Sequence, residues 1–378
     1  MSTIYDIWFS KLNLTNCIKK QIIEKVMELE KSQSKAEFAK NKVDLLKKFY
    51  YYSRDVYKQI GLTEKAIDKI EASKNKLDEC DKILTEAQNN NIFVLGYFDE
   101  DYPRLLREIP DPPIVLYGRG DVKHLNKVMI GMIGSRKCTE WGYRTALRVS
   151  EELANSGIVV TSGMALGVDG VSHKGALKAG PSVGVLGSGV DICYPSSNKN
   201  IYSNLIENGC IISEYEAGTL PRAYHFPARN RIIAGLCYEL VIIEAQNKSG
   251  SLITANLALE YGREVCAMVG NENSKLSEGT LELIDAGAAR VTSAIDIINE
   301  LPYSVASSIN FNKKIDIELA QAESIVYAYV SHEPIFMLDL ETLVKQTSNA
   351  GDSINRSLVA LESKGLIKRL PGERYVRI

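Results

Sequence analysis

Apolar and polar positions repeat with two different periods along this chain. Over the first ninety or so residues, as in "IKKQIIEKVMELEKSQSKAEFAKNKVDLLKKFYYYSR" and "LTEKAIDKIEASKNKLDECDKILTEAQ", apolar residues recur every three or four positions among lysines and acids, which predicts amphipathic helices. Thr63 and Ser73 stand where N-caps of two such helices would fall. From Lys127 to about Thr292 the pattern becomes short apolar run, glycine-rich turn, amphipathic stretch. The runs "VMIGMIG", "GIVVTSG", "SVGVLGSG", "GCIISE", "ELVIIEA", "EVCAMVG" and "ARVT" read as strands, with helices such as "YRTALRVSEELANSG" and "SLITANLALEYGR" between them. Strands alternating with helices predict βαβ units and a mostly parallel, doubly wound α/β sheet.

Two further segments complete the organisation. "NNNIFVLGYFDEDYPRLLREIPDPPIVLYGRG" holds strand-like runs split by Asp-Tyr-Pro and Asp-Pro-Pro, where proline excludes a continuing helix. After the polar stretch "LPYSVASSINFNKKIDI", the remainder reads as three helices and two short strands around Pro371-Gly372. This is a winged-helix pattern, with "SINRSLVALESKGLI" as recognition helix and "KRLPGERYVRI" as wing. The expected division is a helical domain at 1–90, the α/β domain at 91–300, a linker at 301–316 and a winged helix at 317–378.

Composition narrows the function classes. At 378 residues the chain is long enough for two or three domains, and 45% hydrophobic with 24% charged residues is ordinary for a soluble protein. The formal net charge of -2 means that any nucleic-acid surface must be a local cluster of cations. No cationic leader precedes an apolar core and no apolar run spans a bilayer, so a cytoplasmic protein without a membrane partner is expected. The seven cysteines never form CxxC and the four histidines show no metal spacing, so neither disulfides, a metal nor a cofactor is expected. The lysine stripe on the N-terminal helices reads as a solvated face, and the tyrosines of "FYYYSR" as packing.

The candidate chemistry lies at the strand ends. Gly134, Ser135, Arg136 and Lys137 follow the first run of the α/β region; Ser162 and Gly163, then Gly187, Ser188 and Gly189, follow later ones. Small residues there let a ligand approach the backbone, helix-start amides favour an anion, and arginine adds a planar fork suited to phosphate. In "HFPARNRIIAGL", Phe226 and Pro227 precede Arg229, Asn230 and Arg231, which are expected to open a helix. An aromatic beside cations suits a single nucleic-acid strand, although one arginine is expected to tie to Glu214 or Glu244 instead. Lys248, Ser249, Gly250 and Ser251 mark another helix start, with Ser251 as its cap. "GSGVDI" lacks the third glycine of a dinucleotide fingerprint, and no NTPase loop is present. Asp169, His173 and Glu214 have no serine or cysteine nucleophile at a recognisable spacing, so no catalytic residue is assigned. Asp169 is expected to fix the loop "GMALGVDG".

Taken together, "IGSRKCTEWG", "VVTSGMALGVDGVSHKGAL", "VGVLGSGVDICYP", "ISEYEAGTLPRAYHFPARNRIIAGL" and "EAQNKSGSLITANLALEYGREV" closely resemble the DNA-processing protein A (DprA/Smf) family from roughly Ile92 to Ile297. The resemblance implies a Rossmann-like core, a sterile-alpha-motif-like N-terminal domain and a homodimer. It also implies binding of single-stranded DNA and delivery of RecA recombinase to that strand, in natural transformation or recombination. It places Arg136 on DNA phosphate and makes Lys199 and Arg222 further candidate contacts. Val269 and Leu281 depart from the family's usual proline and asparagine. Two other readings compete. One is a nucleotide sensor or hydrolase using the same cleft, against which "NKSGSLITANLALE" lacks a glutamate at the catalytic spacing. The other is a duplex-binding regulator acting through Arg356, Lys364, Lys368, Arg369 and Arg374 of the winged helix.

Overall fold

The run that ends at Gly134 forms β3 (Met129–Ile133), buried along its whole length because parallel strands flank both edges and helices cover both faces. The computed structural model describes residues 4–33, 44–270, 274–307, 309, 321–330, 334–347, 354–363 and 366–377. Among these, nine strands form one sheet in the order β1-β2-β6-β5-β4-β3-β7-β8-β9. The others are β1 (Phe93–Gly96), β2 (Val115–Gly120), β4 (Val159–Ser162), β5 (Ser182–Val185), β6 (Cys210–Ser213), β7 (Glu239–Ile242), β8 (Glu264–Met268) and β9 (Ala289–Val291). Strands β3 to β9 pair in parallel, while β1 and β2 add an antiparallel edge through β6. All seven apolar runs of the α/β region are strands of this sheet.

Alternate residues face alternate cores. Met129, Ile133, Leu240 and Ile242 pack on one side with the helices His225–Leu236 and Gly250–Glu260; Ile130, Met132, Val241 and Ile243 pack on the other with the helices Glu140–Asn155 and Val168–Ala176. The first core continues into the N-terminal helices Ile4–Ser10, Asn16–Gln33, Leu45–Tyr50, Arg54–Gln59, Glu64–Ser73 and Leu77–Asn89. There Trp8 and Tyr50 pack edge-to-face at 4.9 Å, as do Phe9 and Phe49 at 5.4 Å. Phe49 is fully buried, whereas Tyr51 of the same run is exposed.

Thr63 caps its helix as expected, accepting from the Ala66 amide. Ser73 does not. It ends the helix Glu64–Ser73, its hydroxyl donates to the Ile70 carbonyl, and it accepts from Trp8 Nε1 at 3.0 Å. The polar stretch after Leu301 contains a one-turn helix, Tyr303–Ala306; most of the expected linker, 308 and 310–316, lies outside the described residues.

The chain divides into two compact units, 1–312 and 313–378. The second holds the helices Gln321–Tyr329, Met337–Thr347 and Ile354–Ser363, and a small antiparallel sheet in the order β10-β12-β11. Its strands are β10 (Ile335–Phe336), β11 (Ile367–Leu370) and β12 (Arg374–Arg377), the last two joined by a turn through Gly372. Val326, Val330, Leu340, Leu358, Leu361 and Tyr375 form its core. Arg356, Lys368 and Arg369 are exposed, while Lys364 lies outside the described residues.

One buried acid makes the larger unit sensitive to pH. Glu239, at the start of β7, is fully buried, and neither carboxylate oxygen has a hydrogen-bond partner among the described residues. Burial, then repulsion from Glu300 and Glu264, pushes its carboxyl up to about 8 from 4.5. The folded chain therefore keeps this proton to higher pH than the unfolded chain. The associated stability is present below pH 4.5 and is lost as pH rises through 8. Glu239→Gln should raise the melting temperature relative to wild type more at pH 9 than at pH 5. A difference independent of pH would mean that Glu239 is not protonated inside the fold.

Candidate nucleic-acid interface

Adjacent strands β3 and β7 send their following chain to opposite faces of the sheet. The helix Glu140–Asn155 follows β3 on one side, and Gly250–Glu260 follows β7 on the other. A crevice must open where the connections diverge, beyond the carboxyl ends of the strands. It is a cleft of about 620 Å³, lined by Gly134, Ser135, Arg136 and Lys137 after β3, Ala165 and Asp169 after β4, and Gln246, Ser249, Gly250 and Ser251 after β7. Phe226, Arg229 and Asn230 line it from the helix His225–Leu236.

The loop carrying Arg136 is held by its backbone. The Ser135 amide donates to the Glu244 carbonyl at 2.8 Å, and the Ser135 carbonyl accepts from the Val168 amide at 3.2 Å. The buried Glu244 carboxylate accepts from the Thr139 amide at 2.9 Å and hydroxyl at 2.5 Å, which anchors the start of the next helix. Arg136 and Lys137 are left exposed, with no ion-pair partner among the described residues. The Arg136 guanidinium lies 6.0 Å from the centre of the Phe226 ring.

The helix after β7 begins at Gly250 with Ser249 as its N-cap, so Ser251 sits in the first turn and is not the cap expected from sequence. The Ser249 side chain makes no capping bond, and its buried hydroxyl has no partner among the described residues. The first amides of this helix therefore carry no side-chain cap, the arrangement that favours an anion at a helix start.

The cluster Arg229, Asn230 and Arg231 is placed differently from the sequence expectation. Its helix starts at His225, a turn earlier, because proline is tolerated in a first turn; the amides from Arg229 onward then lie inside the helix and offer no helix-start site. Arg229 is only 4% exposed and donates to the carbonyls of Gly163 and Val185, pinning the ends of β4 and β5 together. Burial pushes its guanidinium down to about 10, opposed first by the charge of Asp169. Burial likewise pushes the Asp169 carboxyl up, opposed by Arg229 and by the backbone amides of Ala165 and Gly163. That last pairing is how Asp169 holds its loop. Arg231 turns away from the cleft: it pairs with both oxygens of Glu214 at 2.6 and 2.7 Å and with Asp111 at 3.3 Å. With Lys19 it lines a second cavity of about 490 Å³ against the N-terminal helices.

Eight other candidates fall outside the lining of the cleft. The Ser162 hydroxyl is buried and donates to the Met132 carbonyl at 2.6 Å, and the Gly163 carbonyl receives Arg229. The Gly187 carbonyl accepts from His225 Nδ1 at 3.0 Å; Ser188 donates to the Ile192 carbonyl, and the Gly189 amide to that of Thr219. Lys199 and Lys248 are exposed, as is Arg222, which donates to the Tyr224 hydroxyl at 3.0 Å. Gln246, Thr254 and Leu276 line the cleft without having been singled out in the sequence. Only Gln246, two residues beyond Glu244, carried a signal. Asp169, His173 and Glu214 do not converge: His173 is buried against Ser182 and pushed down to about 3, so it stays neutral.

Residues 93–302 match the model of the family described as DNA recombination-mediator protein A. The chain belongs to this family. The family's Protein Smf from Synechocystis sp. is 33% identical over 353 residues, covering 84% of this chain and 88% of that relative. The X-ray structure of DNA processing protein A from Streptococcus pneumoniae shares the fold with a TM-score of 0.66 and 32% identity, covering 80% of this chain and all of that one. DNA processing protein A from Helicobacter pylori, whose structure gives insight into its single-stranded DNA binding mode, aligns with a TM-score of 0.51 and 32% identity. It covers 55% of this chain and 94% of that one. The family membership and the large, mostly parallel sheet expected from sequence are thus both borne out. No described helix is long and apolar enough to cross a membrane.

Proposed function

We propose that this chain binds single-stranded DNA in the cleft between β3 and β7, gripping the backbone without regard to base sequence, and carries out no chemistry on it. The observation that carries the reading is one cleft lined by two unpaired cations, Arg136 and Lys137, by the Phe226 ring 6.0 Å from the Arg136 guanidinium, and by the start of a helix. Phosphates need charge and amide donors, and unstacked bases need an aromatic face. The single-stranded DNA binding mode of the Helicobacter pylori relative supports the same ligand here.

In this reading the protein is a cytoplasmic homodimer that protects incoming or recombining strands and helps RecA recombinase load onto them. Residues 1–90 form a sterile-alpha-motif-like domain, 91–300 the DNA-binding domain and 301–316 a linker. The helices and β10–β12 within 317–378 form a winged helix of accessory role. Lys199, Arg222 and Lys248, exposed outside the cleft, serve as outer phosphate contacts along the strand's path.

Fluorescence anisotropy with labelled oligothymidine tests the reading. Arg136→Ala should weaken binding by about 1.5–3 kcal/mol, the range for a hydrogen bond to a charged group. Because one phosphate contact is gone, the slope of log K against log salt should become shallower by about 0.7. Unlabelled duplex should compete poorly. Unchanged affinity and slope in the variant would place the DNA site elsewhere.

A further inference from the structure

Beside the mouth of the cleft stands an aromatic residue that the phosphate-binding reading does not use. Tyr194, in the loop that follows β5, is 48% exposed, unusual for a large side chain with a packed aromatic neighbour. Its ring centre lies 5.5 Å from that of Phe226, with only 32° between the planes. Phe226 is in turn 6.0 Å from the Arg136 guanidinium. Cation, half-buried ring and exposed ring are therefore consecutive neighbours.

The loop is tethered where a platform would need it. Asn198, four residues on, donates to the carbonyls of Met164 at 2.9 Å and Ala165 at 3.1 Å, in the loop that also lines the cleft. Phe226 is seated against Gly187, where a Cβ would come within 3.1 Å of its ring. The other exposed aromatic nearby, Tyr224, is occupied differently: its ring meets His225 edge-on at 4.6 Å and its hydroxyl accepts from Arg222. Tyr194 keeps about half its surface toward solvent, next to an anion site.

Resting on the reading that the cleft holds a single strand, we infer that Tyr194 forms the outer face of a base-stacking subsite, receiving the base of a nucleotide adjoining the phosphate held by Arg136. A ring that packs at a tilt against Phe226 and keeps about half its surface exposed extends the aromatic surface by one base without adding charge. Such stacking tolerates any base, because every base has a π-face.

The test compares labelled oligothymidine with an abasic oligomer of the same length and label, which keeps the phosphates and removes the bases. Tyr194→Ala should bind oligothymidine about 5- to 160-fold more weakly than wild type, the range for one lost base–aromatic stack. It should bind the abasic oligomer as wild type does, and Tyr194→Phe should retain binding to both. Unchanged affinity of Tyr194→Ala for abasic DNA also shows that its cleft is folded. No loss on oligothymidine, or an equal loss on both oligomers, overturns the subsite while leaving the cleft as the phosphate site. If wild type binds neither oligomer, the single-strand reading fails together with the subsite.

Discussion

Gly167→Ala is expected to abolish single-strand binding and to destabilise the larger unit by about 2–5 kcal/mol, combining backbone strain with overpacking. Gly167 has φ 73° and ψ −132°, a conformation that side chains rarely adopt, just before the helix Val168–Ala176. A Cβ there would run into the Ser135 carbonyl oxygen and come within 2.7 Å of the Arg136 carbonyl carbon and oxygen. These are backbone atoms, so no rotamer change relieves the contact, and the loop that displays Arg136 must move. The Val168 amide, which donates to Ser135, would move with it. Chemical denaturation and anisotropy, both below the variant's melting temperature, measure the two effects. Gly157→Ala is the control, since Gly157 also has positive φ but nothing within 4 Å of the added carbon. If Gly167→Ala costs no more than Gly157→Ala and still binds DNA, contact between the two loops is not what fixes the phosphate site.

Arg229→Met should cost about 3–5 kcal/mol of stability, the range for removing one partner of a buried charged pair. The substitution keeps the apolar bulk of the side chain but withdraws the donor from the Gly163 and Val185 carbonyls and the positive charge from the buried Asp169. Asp169→Asn should therefore recover part of the loss, with a coupling of about 0.5–3 kcal/mol in a double-mutant cycle. Single-strand affinity of the folded variant should change far less than in Arg136→Ala, because the Arg229 guanidinium is already spent on carbonyls. A variant that is stable but does not bind would instead make Arg229 a direct DNA ligand.

The contrast between these two arginines marks how far the sequence could be read. Both stand near small residues in the chain, and both carry the same charge. Only packing distinguishes them: Arg136 ends a loop beyond the sheet, while Arg229 lies on the inner side of a helix whose phase is set by its start at His225. Arg231 shows the same limit. The sequence leads one to expect an arginine tied to Glu214 or Glu244; which arginine and which glutamate depended on the helix phase, and Glu244 is instead taken by Thr139. Ser251 failed as a cap because the boundary lies two residues earlier, at Ser249, whereas Ser73 does precede a short helix, Lys74–Lys76, but gives its hydroxyl to the Ile70 carbonyl.

The order of strands and helices through the α/β region, the position of the glycine-rich strand ends and the family are all legible in the chain alone. Strands buried on both faces must be almost wholly apolar, and the turns between them need glycine and polar residues, so both leave a local signature in the chain. The tertiary structure alone decided which strands neighbour one another, and thereby that the ends of β3 and β7 make one cleft. It also decided which cations are neutralised by carbonyls and carboxylates and which are left for a ligand, and that Tyr194 stands against Phe226. Each of these depends on contacts between residues far apart in the chain, and a partner's distance in space has no trace in local composition or period.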